Sequence, residues 1–521
     1  MPERAWGFNS PLAHREQRPG HLGDRASVTS FAGLLVRPTG QEAVRGDPRH
    51  PGGRGGPLLL PRPVSGGSKG EHRRPGCTDA PPEVAVLPTR SPWSRRQFLG
   101  ALGAGAVGAG ALAGCSSGGG SGGSGEDGEL TFTLWGGDEE VNAFQAVADA
   151  FQQQEGVTVT LNQLPYADVL PSVDSRIQAN DPPDLFRVSY IDLGRYTSLP
   201  GVLADISSAL PAGYADAFTP ALWAAVQGSD GTPVGVPHHT DCSAIVYNVP
   251  AFAAAGVQVP TSLDAAWTWE EFQQVLTEVK GANGGAFPVA MNWQAAGAYR
   301  WLSFLAQAGG SVFNDDLSQV TIDSDAGRRA LTWTQGLYTA GLHDPTFLVQ
   351  AGNYPDETFP TGSPLSIATG DFNLPSLVTS ATGFEWGATY LPRDVAAATD
   401  LGGNAVFVTN GPNAEVAARF AAFLADAQNM KTFCEATTVL PTRTDVTDLT
   451  YAVRPDLMPV FVEQATTIPE SLVAASTSPV FTQVNQALQQ GLEGAFASGA
   501  GVDETLQGLQ SAIEQALEQQ A

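Results

Sequence analysis

Aromatic and hydrogen-bonding side chains recur where apparent strands end or where glycines turn the chain. An aromatic face can stack on a ligand, and a carboxylate or amide can hydrogen-bond to its polar groups, so this combination predicts a binding site rather than a deep apolar slot. Core packing is the competing role for the aromatic residues, and helix capping for Asp138. The candidates are Trp135, Tyr190, Trp293, Phe372 and Trp386, with Asp138, Asp241, Asp371, Asn373 and Asn404.

Catalytic and metal-binding patterns are missing from the sequence. It contains no phosphate-binding loop, no G-x-S-x-G and no HExxH. Adjacent His238 and His239 in an extended segment would point in opposite directions, and no third ligand stands at a recognised spacing. Residues 323–327 begin like a calcium loop but depart from the pattern, so helix capping explains them better. We therefore expect no catalytic residues, no metal and no cofactor.

Strands and helices alternate from residue 129 onward. The first predicted strands cover residues 130–135, 157–161 and 184–188, and the first predicted helices cover 141–151 and 169–179. Similar alternation follows, and from residue 455 the pattern is helical, so the predicted fold class is α/β. Parallel sheets of this kind bind ligands at the carboxyl ends of their strands, which places Trp135, Asp138 and Tyr190 at the candidate site.

The net charge of the chain changes sign at Cys115. Residues 1–114 are net positive, whereas residues 115–521 carry 12 lysines and arginines against 45 aspartates and glutamates, a net charge of −33. Such a surplus repels phosphate backbones and anionic lipid headgroups, so it excludes nucleic acid as a partner and favours a neutral or cationic ligand. The 407 residues of this part are enough for two lobes of about 150 to 200 residues each.

The first 128 residues predict export and membrane attachment. Residues 1–93 are rich in Pro, Gly and Arg, and we expect them not to fold. The expected translation start is near Val84, Val86 or Leu87, which places most of these residues upstream of it. Residues 94–114 combine Arg95-Arg96 with a short Ala/Gly stretch and resemble a twin-arginine signal. Residues 112–115, Leu-Ala-Gly-Cys, resemble a bacterial lipobox, which implies that Cys115 accepts lipid. Residues 115–128 form a Gly/Ser tether.

Several segments, taken in order, resemble the extracellular solute-binding proteins of ABC importers, in the sugar-binding branch that includes the maltose-binding type. They run from near the start of the alternating region almost to its end. The segments are Leu-Thr-Phe-Thr-Leu-Trp at 130–135, Asp-Pro-Pro-Asp-Leu-Phe at 181–186, Gly-Thr-Pro-Val-Gly-Val-Pro at 231–237, Thr-Trp-Glu-Glu-Phe at 268–272, Leu-Gly-Gly-Asn at 401–404 and Val-Leu-Pro-Thr-Arg at 439–443.

The resemblance implies a two-lobed periplasmic-binding-protein fold, type II-like, with a ligand cleft between the lobes. The first lobe would comprise residues 129–240 and 400–450, and the second residues 241–399 and 451–521, with crossings near 239–243 and 398–403. It also implies a non-catalytic, monomeric receptor on the outer face of the cytoplasmic membrane, attached through lipid alone. The receptor would deliver a carbohydrate to an ABC permease.

A sugar site combines stacking aromatics with hydrogen-bonding acceptors. The expected ligand-binding residues are therefore Trp135, Asp138, Tyr190, Asp241, Trp293, Asp371, Phe372, Trp386 and Asn404, with Trp293 and Asp241 on facing sides of the cleft. Phe372 stands where the family usually has Trp. A secreted glycoside hydrolase and a receptor for a cation such as a polyamine are the alternatives. Cys242 and Cys434 are either a disulfide or two buried thiols.

Overall fold

The computed structural model describes residues 129–520. The predictions for residues 1–128, which include the export signal, Cys115 and the tether, lie outside the described residues. Between residues 129 and 520, no helix has the length and apolar character needed to cross a membrane.

Ten strands and sixteen α-helices make up the described chain, with seven 3-10 helices between them. The strands are β1 Glu129–Leu134, β2 Thr158–Gln163, β3 Leu185–Ser189, β4 Gly235–Asp241, β5 Ser243–Asn248, β6 Ala290–Met291, β7 Ser366–Gly370, β8 Trp386–Thr389, β9 Gly402–Val408 and β10 Leu440–Pro441. The 3-10 helices are Tyr190–Asp192, Ser207–Ala209, Ala215–Ala217, Leu263–Ala265, Ala295–Trp301, Phe359–Thr361 and Asp371–Asn373.

The α-helices lie between the strands and fill the C-terminal part of the chain. They are α1 Asp138–Glu155, α2 Tyr166–Gln178, α3 Gly194–Thr197, α4 Pro220–Ala225, α5 Val249–Ala254, α6 Trp269–Ala282, α7 Leu302–Gln307, α8 Asp325–Thr339, α9 Pro355–Thr358, α10 Leu374–Ser380, α11 Ala414–Leu424, α12 Ala427–Thr437, α13 Met458–Ala465, α14 Glu470–Ser476, α15 Phe481–Ser498 and α16 Val502–Gln520.

The first lobe is built on a six-stranded sheet in the order β10-β4-β9-β3-β1-β2. β1 pairs in parallel with β2 and β3, as the alternating pattern at residues 130–188 predicts, and β9 pairs antiparallel with β3 and β4. Apolar side chains from this sheet and from α1 and α11 form one core that contains Phe132, Phe144, Phe186 and Phe420. The apolar side chains of the strands and the apolar stripe of α1 therefore pack together in one core.

The second lobe is built on a four-stranded sheet in the order β6-β7-β5-β8. β5 pairs antiparallel with β7 and β8, while β6 is parallel to β7. One core of this lobe joins α6, α7, α8, α15 and α16 around Trp301, and a smaller cluster packs Phe461 of α13 near Cys242 and Val246. The α/β class and the two-lobed arrangement are thus both confirmed.

Side chains cap the starts of two helices, and the sequence predicts the cap at residues 323–327. The Thr268 hydroxyl accepts the backbone N–H of Glu271, and the Glu271 carboxylate accepts the N–H of Thr268, which starts α6. Ser324 likewise accepts the N–H of Gly327 at the start of α8, so residues 323–327 cap a helix.

Two short crossings connect the sheets. β4 ends at Asp241 and β5 begins at Ser243, so a single residue, Cys242, separates a strand of the first lobe from one of the second. The chain returns between β8 and β9, where the Thr399 hydroxyl donates to the Ser243 carbonyl oxygen at 2.8 Å. The crossings are therefore hydrogen-bonded to each other. How the C-terminal segment divides between the lobes stays a prediction: α14 contacts α4 of the first lobe, whereas α15 and α16 pack in the second.

Candidate ligand-binding site

A cavity of about 720 Å³ opens between the two lobes. This volume is within the range of small-molecule sites, roughly 300 to 1,000 Å³. Much of the wall lies where strands β1, β6 and β7 end, as expected for α/β folds. The side chains that matter below are Trp135, Tyr166, Arg187, His239, Asp241 and Asn404 from the first lobe, and Asn292, Tyr299, Arg300, Tyr354, Asp356 and Phe372 from the second.

Arg187 organises the first-lobe wall from within β3. Its guanidinium donates to the Trp135 carbonyl oxygen at 2.5 Å and to Glu140 Oε1 at 2.6 Å. The same group lies 4.6 Å from the centre of the Trp135 ring, and Tyr166 meets that ring edge to face at 5.0 Å. The arginine side chain is 3% exposed, so its charge is held away from water and is balanced by Glu140. Trp135 is thereby fixed as a half-buried aromatic surface.

His238 and His239 lie behind this wall. The register of β4 against β9 shifts between Pro237 and His239, and this irregularity turns the two rings toward each other, with the Nδ1 atoms 2.9 Å apart. The expectation that they point in opposite directions is therefore wrong. Burial, reinforced by Arg187, lowers the pKa of His238 to about 3 and that of His239 well below its ordinary value. Both imidazoles are neutral, and no metal-binding cluster occurs among residues 129–520.

His239 continues the polar contacts toward β9. Its Nε2 lies 3.1 Å from Arg187 Nη2 and 2.9 Å from the side-chain amide of Asn404. Arg187, His239 and Asn404 all line the cavity, so hydrogen-bonding groups follow one another across its first-lobe side. Their mutual contacts hold these side chains in place before a ligand arrives.

Asp241 lies at the end of β4, just before the first crossing. It is 6% exposed and lines the cavity, and its Oδ1 has no hydrogen-bond partner in the described part of the protein. Burial raises its pKa to about 7, with Arg300 opposing the rise and Asp400 reinforcing it. A carboxyl with a raised pKa and a free oxygen can accept a hydrogen bond from a ligand hydroxyl, or donate one when protonated.

Tyr299 and Arg300 belong to a 3-10 helix of the second lobe, Ala295–Trp301. The Arg300 guanidinium lies 4.8 Å from the centre of the Tyr299 ring and 5.9 Å from that of Phe372. Its Nε is 3.6 Å from Oδ2 of the fully buried Asp400. The second lobe therefore offers two aromatic rings beside a charged hydrogen-bond donor.

A further polar group of the second lobe centres on Asn292, just after β6. Its amide nitrogen donates to Asp356 Oδ1 and to the Thr369 hydroxyl, both at 3.3 Å. Burial raises the pKa of Asp356 to about 6. Together with Tyr354, these groups give the second-lobe wall both acceptors and donors.

The sequence matches the model of a protein family described as bacterial extracellular solute-binding protein over residues 146–459, more than half of the 521 residues. The chain belongs to this family. No curated protein is significantly similar to it in sequence.

Solved structures share the fold of this solute-binding protein. An ABC substrate-binding protein from Listeria monocytogenes in complex with cycloalternan has a TM-score of 0.66 at 21% identity, over 75% of this chain and 100% of that one. A cyclic alpha-maltosyl-1,6-maltose binding protein from Arthrobacter globiformis gives 0.62 at 22%, over 75% and 99%. The GacH receptor of Streptomyces glaucescens, solved unliganded and with acarbose, gives 0.63 at 20%, over 75% and 99%.

Four of the nine predicted binding residues line the cavity of this solute-binding protein. They are Trp135 and Asn404 from the first lobe, Asp241 at the first crossing, and Phe372 from the second lobe. Asn373, a candidate outside the nine, also lines the cavity beside Phe372. Their contact with a ligand stays a prediction.

The structure corrects the prediction that Trp293 faces the cleft. It is fully buried in the second-lobe core, stacked at 5.1 Å on Phe496 of α15, and its Nε1 donates to the Tyr338 hydroxyl at 3.0 Å. It does not line the main cavity opposite Asp241, because helices from distant parts of the sequence cover it.

Four other predicted residues also lie away from the cavity wall. Asp138 is the first residue of α1 and is exposed, while Tyr190 turns into the first-lobe core immediately after β3. Asp371 is fully buried, and its Oδ1 accepts the N–H of Phe372 at 3.1 Å. Trp386, in β8, is covered by Arg454, whose guanidinium lies 4.0 Å from the ring centre. A position near a strand end therefore does not place these four side chains at the cavity, because packing and local turns direct them elsewhere.

The sequence prediction missed several residues that line the cavity. Arg187 carries a signal, since a lone charge between Phe186 and Val188 in an apolar strand must have a buried partner. Tyr166, Tyr299, Arg300 and Tyr354 carry no comparable signal. Tyr166 begins α2, Tyr299 and Arg300 lie in a 3-10 helix, and Tyr354 precedes α9, so the approach of these residues to the cleft depends on tertiary packing.

Cys242 and Cys434 are two free, buried thiols. Cys242 Sγ donates to the Phe461 carbonyl oxygen at 3.4 Å. The structure therefore shows two buried thiols rather than a disulfide between Cys242 and Cys434.

Proposed function

We propose that this solute-binding protein captures an oligosaccharide in its cleft and delivers it, chemically unchanged, to an ABC permease. The observation that carries the proposal is the composition of the cavity, in which Trp135 and Tyr166 of one lobe and Tyr299 and Phe372 of the other flank buried hydrogen-bonding groups. Sugars present flat C–H faces and rims of hydroxyls, and such a wall matches both. A cavity of about 720 Å³ has room for more than one sugar ring.

The ligands of the structural neighbours support a carbohydrate. These neighbours are a complex with cycloalternan, a binding protein for cyclic alpha-maltosyl-1,6-maltose and a receptor solved with acarbose. Maltose-series oligosaccharides are therefore the first compounds to test.

The charges of the cavity favour a neutral sugar over a polyamine. Arg187 and Arg300 both line it, and a polycation would have to approach two guanidinium groups. Glu140, an acidic residue of the wall, is already engaged by Arg187 at 2.6 Å. Glu139, Asp241 and Asp356 also line the cavity, but burial raises the pKa of Asp241 to about 7 and that of Asp356 to about 6, which disfavours their charged forms.

Calorimetry with maltose, maltotriose and cycloalternan tests the proposal. We expect saturable binding of at least one of them, and chromatography should recover the sugar intact. Recovery of fragments would favour the hydrolase alternative, and failure of all sugars together with binding of spermidine would favour a cation receptor.

The proposal includes a lipid anchor at Cys115, on the outer face of the cytoplasmic membrane. It is supported by the sequence pattern of residues 94–115 and by the Gly/Ser tether that follows. One such tethered monomer would present its cleft to the permease. Replacement of Cys115 by Ser should release exported protein into the medium, because the thiol is the lipid acceptor. Continued membrane attachment of this variant would contradict the anchor.

A further inference from the structure

A second, much smaller cavity lies directly behind the cleft. Its volume is about 10 Å³, and Arg300 lines both cavities. Its polar lining includes Ser243, which follows the first crossing, Ser303 of α7, and Asp400 of the second crossing. The remaining wall is mainly apolar and includes Trp293 and Phe304. This cavity therefore separates the ligand-facing arginine from the core of the second lobe.

Four buried polar atoms of this lining have no hydrogen-bond partner among the described protein groups. They are Ser243 Oγ, Ser303 Oγ, Arg300 Nε and Asp400 Oδ2. The distance from Arg300 Nε to Asp400 Oδ2 is 3.6 Å, longer than a direct hydrogen bond between such groups. Since buried polar groups in native proteins are nearly always paired, four in one small space call for a shared partner.

We propose that one water molecule binds in this cavity and bridges Arg300 to Asp400, Ser243 and Ser303, holding the guanidinium in the orientation that the cleft uses. A buried water needs a cavity of about 10 to 15 Å³ and two to four polar partners, and this cavity meets both conditions. Asp400 and Ser303 are then positioning residues for Arg300. The positioning role rests on the proposed sugar-binding function, whereas the water site does not.

The location of the water gives it a link to both crossings. Ser243 begins the strand after Cys242, and its carbonyl oxygen already accepts from the Thr399 hydroxyl, next to Asp400. One water bound to Ser243, Asp400 and Arg300 therefore links both crossings to the Arg300 side chain, which lines the cleft. The orientation of Arg300 is set by the crossings as well as by its own 3-10 helix.

High-resolution crystallography of the ligand-free protein tests the water directly. We expect one electron-density peak within about 2.6 to 3.2 Å of at least three of the four polar atoms. A dry cavity, with the Arg300 side chain in direct contact with Asp400, would overturn the proposal.

A pair of variants at one position tests what the water does. Ser303→Ala removes a hydroxyl but leaves space for the water, whereas Ser303→Val removes the same hydroxyl and places a methyl group in that space. We expect the Arg300 guanidinium to be displaced in crystals of Ser303→Val alone. For maltotriose, the affinity should fall by about tenfold in Ser303→Val and by no more than about threefold in Ser303→Ala. Ser476→Ala, which removes another buried unpaired hydroxyl away from both cavities, should leave the affinity unchanged.

A double-mutant cycle separates positioning from general damage to the fold. If the water acts through Arg300, Ser303→Val should cost no further affinity in an Arg300→Ala background. An equal loss in both backgrounds, or equal effects of Ser303→Val and Ser303→Ala, would overturn the positioning role. If native protein binds no sugar, the proposed function fails, while the density peak and the Arg300 orientation in the Ser303 variants still decide the present proposal.

Discussion

Arg187 and Arg300 bring two guanidinium groups to the cleft, and each has an acidic partner. Arg187 is bonded to Glu140, and Arg300 lies beside the buried Asp400. A buried charge without a partner is strongly unfavourable, so these pairs allow charged donors to remain at the wall of the proposed sugar site. At the residue scale, the site is a set of oriented hydrogen-bond donors and acceptors between aromatic surfaces.

Trp135 and Trp293 form a matched pair for mutation. Trp135→Ala removes a half-buried ring from the cavity wall, so we expect the affinity for maltotriose to fall by at least about tenfold with little change in melting temperature. Trp293→Ala removes a fully buried, stacked side chain, so the free energy of unfolding should fall by about 3 to 5 kcal/mol, with the affinity of the folded protein largely kept. Calorimetry and thermal denaturation of both variants check this, and the reverse pattern would contradict the assignments.

The raised pKa of Asp241 predicts a pH-dependent stability. Burial lifts this pKa from an ordinary value near 3.8 to about 7, so the folded state binds the proton more tightly than the unfolded state. The stabilising contribution of the protonated carboxyl is present in full below about pH 4 and is lost as the pH rises through 7. Asp241→Asn stays neutral, so its melting temperature relative to the native protein should increase from pH 5 to pH 8. Parallel melting curves across this range would show that Asp241 is not held protonated.

At the scale of elements, strand β9 makes the site possible by its close approach to β4. A Cβ atom at Gly402 would collide with the Asp241 carboxylate, and one at Gly403 would collide with the His239 carbonyl oxygen. Gly403 also has a φ of 107°, in the region that favours glycine. The two glycines therefore allow the β4 residues to reach the cavity wall.

Gly402→Ala should damage both stability and binding. The added methyl group has no space beside Asp241, so we expect a loss of about 1 to 3 kcal/mol in the free energy of unfolding and a shift of the carboxylate that weakens maltotriose binding at least about tenfold. Gly411→Ala is the control, because a Cβ atom there meets nothing within 4 Å. Thermal melts and calorimetry on the two variants make the comparison, and equal behaviour would contradict the close approach.

The sequence predicts these elements better than it predicts the site. Alternation at residues 130–135 and the helix cap at residues 323–327 are local, and both appear as expected. Trp135 also lies at the cavity wall, because strand-end position follows from the sheet topology. The burial of Trp293 depends on Phe496, about two hundred residues away, and Arg300 reaches the cleft from a short 3-10 helix. Such long-range packing leaves no periodic signal in the sequence.

At the scale of the molecule, two sheets joined by short crossings enclose a cleft that both of them line. This arrangement permits hinge closure, in which each lobe keeps its core and the connecting residues change conformation. The first crossing offers one residue between β4 and β5, so the motion must be shared with the strand ends on either side. Ligand contacts from both lobes would then favour the closed state.

Salt should have little effect on binding. A neutral sugar held by hydrogen bonds and aromatic stacking is hardly screened by ions, although the chain as a whole carries a large negative charge. The affinity for maltotriose should therefore change by less than about threefold between roughly 0.02 and 0.5 M NaCl. Calorimetry at the two concentrations checks this, and a tenfold weakening at high salt would point to a cationic ligand instead.

The burial of both cysteines has a practical consequence. A soluble form that begins after Cys115 would contain only Cys242 and Cys434, and both are 0% exposed. Neither should react readily with a thiol-directed dye, because burial raises the pKa of each and hides the sulfur. Tyr166 is 40% exposed and lies beside Trp135 at the mouth of the cavity. A Tyr166→Cys variant could therefore carry one fluorophore at a defined place, turning the protein into an optical sensor for the proposed sugar ligand.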